Sequence, residues 1–383
     1  MDKPTVQDIF HRFYPAYLDQ YSPSPVQAKV AHNIMNCKTG AYGANVCVCE
    51  DCGFVQIHYN SCRNRCCPMC QAVPKEMWMD ARREDVLDAP YFHLVFTVPD
   101  ILTPVIYSNQ RLLYDALYHA ASSTISELTA DPKHLGAKVG YICILHTWGS
   151  EMNFHPHIHT ILLGGGLTSN NQWKDNGENF FLPIRVISKM FRGKYLEELK
   201  RLWEEDKLVF HGTAEKFRNH YTFKELLDSC YGMDWIPHCK KTFNGAQTVI
   251  KYLGKYTHRI AVSNHRIVRM DDDTVTFLVK DYRNEGQWKE LTILGVEFVR
   301  RFLMHVPPRR FVRIRHYGLL CSRTKSQKLT LCRNLLGCKK YLSKLRDMEM
   351  PEILEHLYGI KVCVCKACGG HLGKPQMRMP LRC

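Results

Sequence analysis

No stretch of the 383-residue chain is long and apolar enough to span a membrane, which excludes a membrane-spanning helix. The opening residues Met1-Asp2-Lys3-Pro4-Thr5 lack the apolar core of a signal peptide, so a cytosolic location is expected. Without a secretory route, disulfides are the weaker reading of the 18 cysteines. No internal repeat is visible. Acidic residues are missing altogether from residues 299–346, which carry fourteen Lys or Arg. Nearly all of the net charge of +15 can be assigned to that one segment.

A solvated face is the ordinary meaning of such a charge run. Here Phe302, Phe311, Tyr317, Leu319 and Leu320 are interleaved with it, unlike a disordered polybasic tail. The segment reads as a folded element that tracks a phosphate backbone and stacks bases. Arg309, Arg310, Arg313 and Arg315 are its expected phosphate contacts.

Seven cysteines lie within residues 47–70: Cys47, Cys49, Cys52, Cys62, Cys66, Cys67 and Cys70. Cys49-x-x-Cys52 and Cys67-x-x-Cys70 have the spacing of a zinc ribbon, so these four thiolates are the expected structural Zn²⁺ site. Such a site staples a small domain that has little core of its own. His58, Cys62 and Cys66 are left over, and with Cys47 they leave a second site open. A later group holds Cys363, Cys365, Cys368 and Cys383. Its Cys365-x-x-Cys368-Gly369-Gly370-His371 knuckle could be completed by Cys363 or His371, or it could be a metal-free tail. The remaining cysteines are scattered and read as small buried apolar residues.

Periodicity predicts helices over 8–21 and 25–35, the ribbon to about residue 72, and a linking helix over 74–88. A strand is expected over 91–98, mainly helix over 101–129, a polar loop over 167–180, a charged helix over 194–205 and a strand over 234–237. Residues 274–279 and 288–293 read as a hairpin through Asn284-Glu285-Gly286. The expected division is 1–88 for the N-terminal helices and zinc-binding domain, 89–270 for an α+β domain, 271–348 for a basic DNA-binding region and 349–383 for a cysteine-rich tail.

Two segments carry chemistry. The first is Asn153-Phe154-His155-Pro156-His157-Ile158-His159. Its flanks, 141–146 and 160–163, read as β, so His157 and His159 share one strand face. Two imidazoles on one face begin a metal site and leave positions open for water and substrate. A lone His-x-His is more often a pair of ordinary histidines, but His146 on the preceding strand would come alongside in a hairpin. The second segment is Tyr252-Leu253-Gly254-Lys255-Tyr256-Thr257-His258-Arg259. Asn244 and Gln247 have the spacing of a capping box, and a helix over 246–255 would put Tyr252 and Tyr256 on one face. Lys251 and Lys255 form an adjacent pair suited to phosphate oxygens. Gly254 between the tyrosines would let a backbone approach closely. Taken alone, a tyrosine pair is more often packed in a core.

Combined, these segments resemble the HUH endonuclease superfamily, where U is a hydrophobic residue. More closely, the chain is similar to the rolling-circle transposases of the insertion-sequence-ninety-one family. Phe92-His93-Leu94-Val95-Phe96-Thr97-Val98-Pro99 resembles the family's first catalytic strand, and Leu145-His146-Thr147-Trp148-Gly149 part of its metal segment. Phe243-Asn244-Gly245-Ala246 resembles the start of its nucleophile segment. Arg313-Ile314-Arg315-His316-Tyr317-Gly318-Leu319-Leu320 resembles a downstream signature. Ser61-Cys62-Arg63-Asn64-Arg65 with Cys67-Pro68-x-Cys70 resembles its zinc segment. The likeness runs in order from about residue 20 to 345, and it departs at Cys66, where the family usually has His.

The resemblance implies a ferredoxin-like antiparallel sheet with helices on one face. It implies a catalytic Mg²⁺ or Mn²⁺ held by His157, His159 and a third ligand: His146, with Gln247 and His155 as rivals. It implies that Tyr252 and Tyr256 attack phosphorus, keep the 5′ end as a phosphotyrosine and release the 3′-hydroxyl, so that rejoining requires no ATP. Single-stranded DNA at transposon ends and target is the implied partner, with Arg259 joining Lys251 and Lys255 beside it. An RNase-H-like triad of acidic residues is not expected. The related alternatives are a replication initiator or relaxase. The unrelated ones are a zinc-dependent DNA-binding protein without catalysis and a metallohydrolase using His146, His157 and His159.

Overall fold

The computed structural model describes residues 3–175, 182–235, 237–243, 248–249, 252, 254, 260–281 and 285–378. Helix α1 (Val6–Gln20) starts at a capping box of Thr5 and Asp8. Helix α2 (Pro25–Met35) starts at another, Ser24 with Gln27, and has Pro25 where a missing N–H costs nothing. Strands β1 (Ala44–Val48) and β2 (Val55–Tyr59) form an antiparallel hairpin. Helix α3 (Ala72–Arg83) leads to β3 (Tyr91–Thr97), and α4 (Thr103–Ser108) and α5 (Gln110–Ala130) follow. The long strands β4 (Lys138–Trp148) and β5 (Phe154–Leu167) come next. A short strand, β6 (Trp173–Asp175), pairs with β5 inside the stretch expected to be loop. Helices α6 (Ile184–Glu204) and α7 (His220–Gly232) precede β7 (His238–Phe243).

The strand expected over 234–237 is corrected: Asp234, Trp235 and Pro237 lie outside any strand. Trp235 is buried among the helices, and its indole N–H donates to the Cys230 carbonyl. The chain continues through β8 (Ile267–Met270), β9 (Thr274–Asp281) and β10 (Gln287–Leu294), the last two forming the expected hairpin. Helix α8 (Gly295–Met304), β11 (Ile314–Gly318), α9 (Lys325–Leu336), α10 (Met350–Tyr358) and β12 (Gln376–Arg378) complete it. Among the described residues no helix is long and apolar enough to cross a membrane.

The architecture is α+β with antiparallel sheets. The main sheet has the order β11-β4-β5-β3-β7, with β6 on β5. Helices lie between β3 and β4 and between β5 and β7, so β3 to β7 follow the ferredoxin-like β-α-β-β-α-β pattern. Alternation along the strands sorts side chains onto two faces. Phe92, Leu94, Phe96, Cys143, Leu145, Ile158 and Leu162 face the core shared with α5 and α6. Ile142, Ile144, Ile161 and Leu163 face the other way, against Met79 of α3, Leu319, Leu320, and Leu329 and Cys332 of α9. Helices therefore cover both faces, where the resemblance implied one.

The basic region is not one element. Its β11 pairs with β4 as the edge of the main sheet, so the sheet extends past residue 270 to residue 318. Its α8 packs with α1 and the β10-β9-β8 sheet around Phe10, Phe13, Phe277, Phe298 and Phe302. Phe302, Phe311, Leu319 and Leu320 are buried, and Tyr317 stacks on Tyr141 with ring centres 5.2 Å apart. This corrects the base-stacking expectation: these side chains are apolar packing. The residues expected to form a tail also fold back, since β12 pairs with β1 in a β12-β1-β2 sheet.

Candidate active site

The β4–β5 hairpin puts His146 directly opposite His157, and His159 shares their face. The three residues are 3%, 8% and 8% exposed, and their nitrogens lie within 4.8 Å of one another. Nδ1 of His157 lies 2.6 Å from the His155 carbonyl, so it carries the proton and Nε2 turns its lone pair inward. That Nε2 is 3.0 Å from Nε2 of His159. Burial pushes His157 down to about 4 and holds His159 well below its ordinary value. Both rings are therefore neutral at physiological pH, the form that ligates a cation. Three buried, convergent imidazoles fit a divalent ion. Of the rivals for third ligand, His155 turns its Nδ1 to Asp100 at 3.1 Å and does not join the group. Gln247 lies outside the described residues.

Tyr252 is helical and reaches this cluster. Its hydroxyl is 3.3 Å from Nδ1 of His159 and 2.6 Å from Nε2 of His93. Nε2 of His93 in turn lies 2.9 Å from Nδ1 of His159, and the two rings stack 5.1 Å apart. His93 was not among the expected site residues. The signal available was parity: it is the one histidine in an apolar strand, and β3 pairs beside β5 so that its face is that of His157 and His159. Gly254 is pressed against α3, where an added Cβ would sit 1.9 Å from Sδ of Met79. The expectation of an approaching backbone is corrected: the atoms that come close are those of the Met79 side chain. Tyr256, Lys251, Lys255, Arg259 and the Asn244 cap lie outside the described residues.

The four arginines of the basic region differ in setting. Arg309 and Arg310 are exposed. Arg313 lies over the Trp148 ring, 5.8 Å from its centre, and burial holds its pKa below the ordinary value. Arg315 pairs with Asp115 and stacks on Tyr118 at 4.0 Å.

The cysteines are grouped differently from expectation. Cys67 and Cys70 join Cys37 and Cys62, while Cys49 and Cys52 join Cys365 and Cys368, with the sulfurs of each four within 4.8 Å of one another. The set Cys49, Cys52, Cys67 and Cys70 is thus corrected to two sets. Cys49 and Cys52 sit at the tip of the β1–β2 hairpin, whereas the loop with Cys67 and Cys70 packs where α2 ends, beside Cys37. Cys37 had read as a scattered apolar cysteine. Cys66 belongs to neither set: it is buried beside Arg65 and Arg313. The departure from the family pattern at that position therefore leaves both sets intact. His58 is held by Gln56 at 2.7 Å and Cys363 is exposed, each outside both sets. Cys383 lies outside the described residues.

Comparison with known proteins gives the family. Residues 140–328 match the family model described as "Putative transposase", and residues 9–98 match the "Transposase zinc-binding domain". The chain is 40% identical to "Putative transposase y4qJ" of Sinorhizobium fredii (strain NBRC 101917 / NGR234), over 95% of this chain and 93% of that protein. It is 30% identical to the transposase for insertion sequence element IS801 of Pseudomonas savastanoi pv. phaseolicola, over 79% and 72% respectively. Among solved structures it matches the conjugative relaxase TrwC in complex with oriT DNA, in a metal-free form, at 12% identity and a TM-score of 0.25. That match covers 43% of this chain and 71% of the relaxase, and its score is too low to add weight. The sequence relatives decide the class, a DNA-processing transposase with a zinc-binding domain. The chain belongs to the insertion-sequence-ninety-one family of rolling-circle transposases.

Proposed function

We propose that this transposase nicks and rejoins single-stranded DNA at the ends of its element and at the target, through 5′-phosphotyrosine intermediates. The observation that carries the reading is the Tyr252 hydroxyl at 3.3 Å from His159, on the rim of the buried three-histidine group. His146, His157 and His159 would hold Mg²⁺ or Mn²⁺, which supplies Lewis-acid polarisation of the scissile phosphate when bound.

The chain's own residues supply the rest. A phenol with an ordinary pKa of about 10 is a poor nucleophile while protonated. Nε2 of His93, 2.6 Å from the Tyr252 oxygen, is placed to accept the proton. The Oη–P bond forms as the P–O3′ bond breaks, and the 3′ oxygen leaves as a hydroxyl, protonated by solvent. Rejoining is the reverse: the 3′ oxygen attacks phosphorus and Tyr252 departs with the proton returned by His93. Tyr256 is proposed as the second nucleophile, giving two successive transfers. Lys251, Lys255, Arg259, Arg309 and Arg310 are proposed to hold the strand. Cys37, Cys62, Cys67 and Cys70 are proposed as the Zn²⁺ ligands of the family's zinc-binding domain, since all four lie within residues 9–98.

Single-stranded oligonucleotides spanning the element's ends, incubated with Mn²⁺ or Mg²⁺, test this on a denaturing gel. A covalent protein–DNA band is expected, lost with EDTA and in the Tyr252→Phe/Tyr256→Phe variant. Cleaved DNA without an adduct would make water the nucleophile. Binding without cleavage would reduce the chain to a zinc-dependent DNA-binding protein.

A further inference from the structure

We propose that Cys49, Cys52, Cys365 and Cys368 bind a second zinc ion, which clamps residues 361–378 onto the N-terminal domain. Family membership does not imply this site. Cys365 and Cys368 lie outside both matched spans, 9–98 and 140–328, and none of the four belongs to the Cys37 group.

The sulfur geometry is that of a tetrahedral thiolate site. Sγ of Cys49 lies 3.5 Å from Sγ of Cys368, and Sγ of Cys52 lies 3.8 Å from Sγ of Cys365. Four Zn–S bonds of about 2.3 Å in a tetrahedron separate the sulfurs by about 3.8 Å. A disulfide requires about 2.0 Å. Each short contact crosses from one pair to the other, as a shared central ion demands.

Both pairs are built as the same knuckle. Each reads Cys-x-x-Cys-Gly. The Gly53 N–H donates to the Cys49 carbonyl at 3.1 Å, and the Gly369 N–H to the Cys365 carbonyl at 3.0 Å. The Cys49 N–H donates to the Phe54 carbonyl at 2.9 Å, and the Cys365 N–H to the Gly370 carbonyl at 2.8 Å. Gly53 and Gly369 both have left-handed φ, +71° and +78°, which a residue with a Cβ adopts only under strain. In the second knuckle the N–H groups of Ala367 and Gly370 point at the sulfurs of Cys365 and Cys368, each at 3.4 Å. Such donors favour the thiolate form.

The surroundings call for a staple. Among the described residues the apolar core here is Cys47, Cys49, Cys365 and Leu372, far less than a small domain needs to hold itself together. Yet the two knuckles are docked in detail. The Glu50 N–H donates to the His371 carbonyl at 3.1 Å, and the Gly373 N–H to the Val48 carbonyl at 2.9 Å. A Cβ on Gly370 would sit 1.8 Å from the Asp51 carboxylate. Strand β12 completes the sheet by pairing three residues with β1. A three-stranded sheet with two facing knuckles is a zinc ribbon, here assembled from segments more than 300 residues apart.

The test is the zinc content of the purified full-length chain, with limited trypsin digestion as a second readout. Two zinc ions per chain are expected in the wild type. Cys365→Ser/Cys368→Ser should keep one and become cleavable at Lys361 and Lys366. Cys67→Ser/Cys70→Ser should also lose one ion but keep those sites protected. Should either variant fail to fold, Co²⁺ substitution of the wild type decides: tetrathiolate absorption for two ions supports the clamp, and for one ion overturns it. One zinc in the wild type, two in Cys365→Ser/Cys368→Ser, or a disulfide linking the two knuckles would each overturn the proposal.

Discussion

The Tyr252 hydroxyl lies 2.6 Å from Nε2 of His93, a residue two strands away from His146 and facing the same side of the sheet. The pair joins the proposed nucleophile to the histidine group, because His93 also lies 2.9 Å from His159. His93→Gln should slow adduct formation about 100-fold, the lower end of what a positioned acid–base group contributes. DNA affinity and zinc content should stay at wild-type values. If His93 only orients His159, the variant should instead require more Mn²⁺ and reach the wild-type rate at saturation. Single-turnover adduct formation against Mn²⁺ concentration separates the two, and an unchanged rate at all concentrations removes His93 from the mechanism.

Within Phe154-His155-Pro156-His157-Ile158-His159 the histidines should not be equivalent. His157→Ala, His159→Ala and His146→Ala should each abolish cleavage, since each opens a group of three. His155→Ala should stay within a few-fold of wild type, because that ring pairs with Asp100 instead. EDTA should silence the wild type and added Mn²⁺ should restore it. Cleavage surviving in His146→Ala would make the third ligand come from elsewhere.

Gly254 predicts an effect transmitted by packing alone. Its missing Cβ makes room for Met79, whose sulfur lies 1.9 Å from where that atom would be. Gly254→Ala should push the Tyr252 helix off α3 and cost about 1–3 kcal/mol, the usual range for overpacking. Adduct formation should fall at least about 10-fold, since small misplacements of reacting groups are expensive. Met79→Ala in the same chain should recover much of the loss. A Gly254→Ala variant with unimpaired cleavage would show that the helix adjusts freely.

Much of this site was legible in the sequence, and the misses share a cause. The hairpin of His146 with His157 could be read because both partners are close in sequence and strand alternation sets their faces. The contact of Tyr252 with His93 could not, because it depends on β3 pairing with β5, and the two contacting residues are 159 apart. The cysteines make the same point. Cys-x-x-Cys announces a knuckle but not its partner, and Cys67-x-x-Cys70 was simply the nearer candidate. Strand β12 pairing with β1 is what brings Cys365 and Cys368 to Cys49 and Cys52 instead. In the basic region, missing acidic residues suggested one DNA-binding surface. The apolar residues between the charges belong to three different cores, so the segment is divided by packing.

That division makes the arginines distinguishable. Arg309 and Arg310 are exposed, whereas Arg315 is held by Asp115 and by the face of Tyr118. Replacing Arg309 and Arg310 with Ala should weaken single-stranded DNA binding for all sequences alike. The slope of log affinity against log salt should fall by about 0.7 for each phosphate that is no longer neutralised. Arg315→Ala should act differently. It removes a stacked guanidinium and leaves Asp115 without its partner, so it should lower thermal stability while leaving the salt slope unchanged. Fluorescence anisotropy across a salt series, paired with thermal melts, reads both quantities. A reduced salt slope in Arg315→Ala without loss of stability would move Arg315 from the fold to the DNA surface.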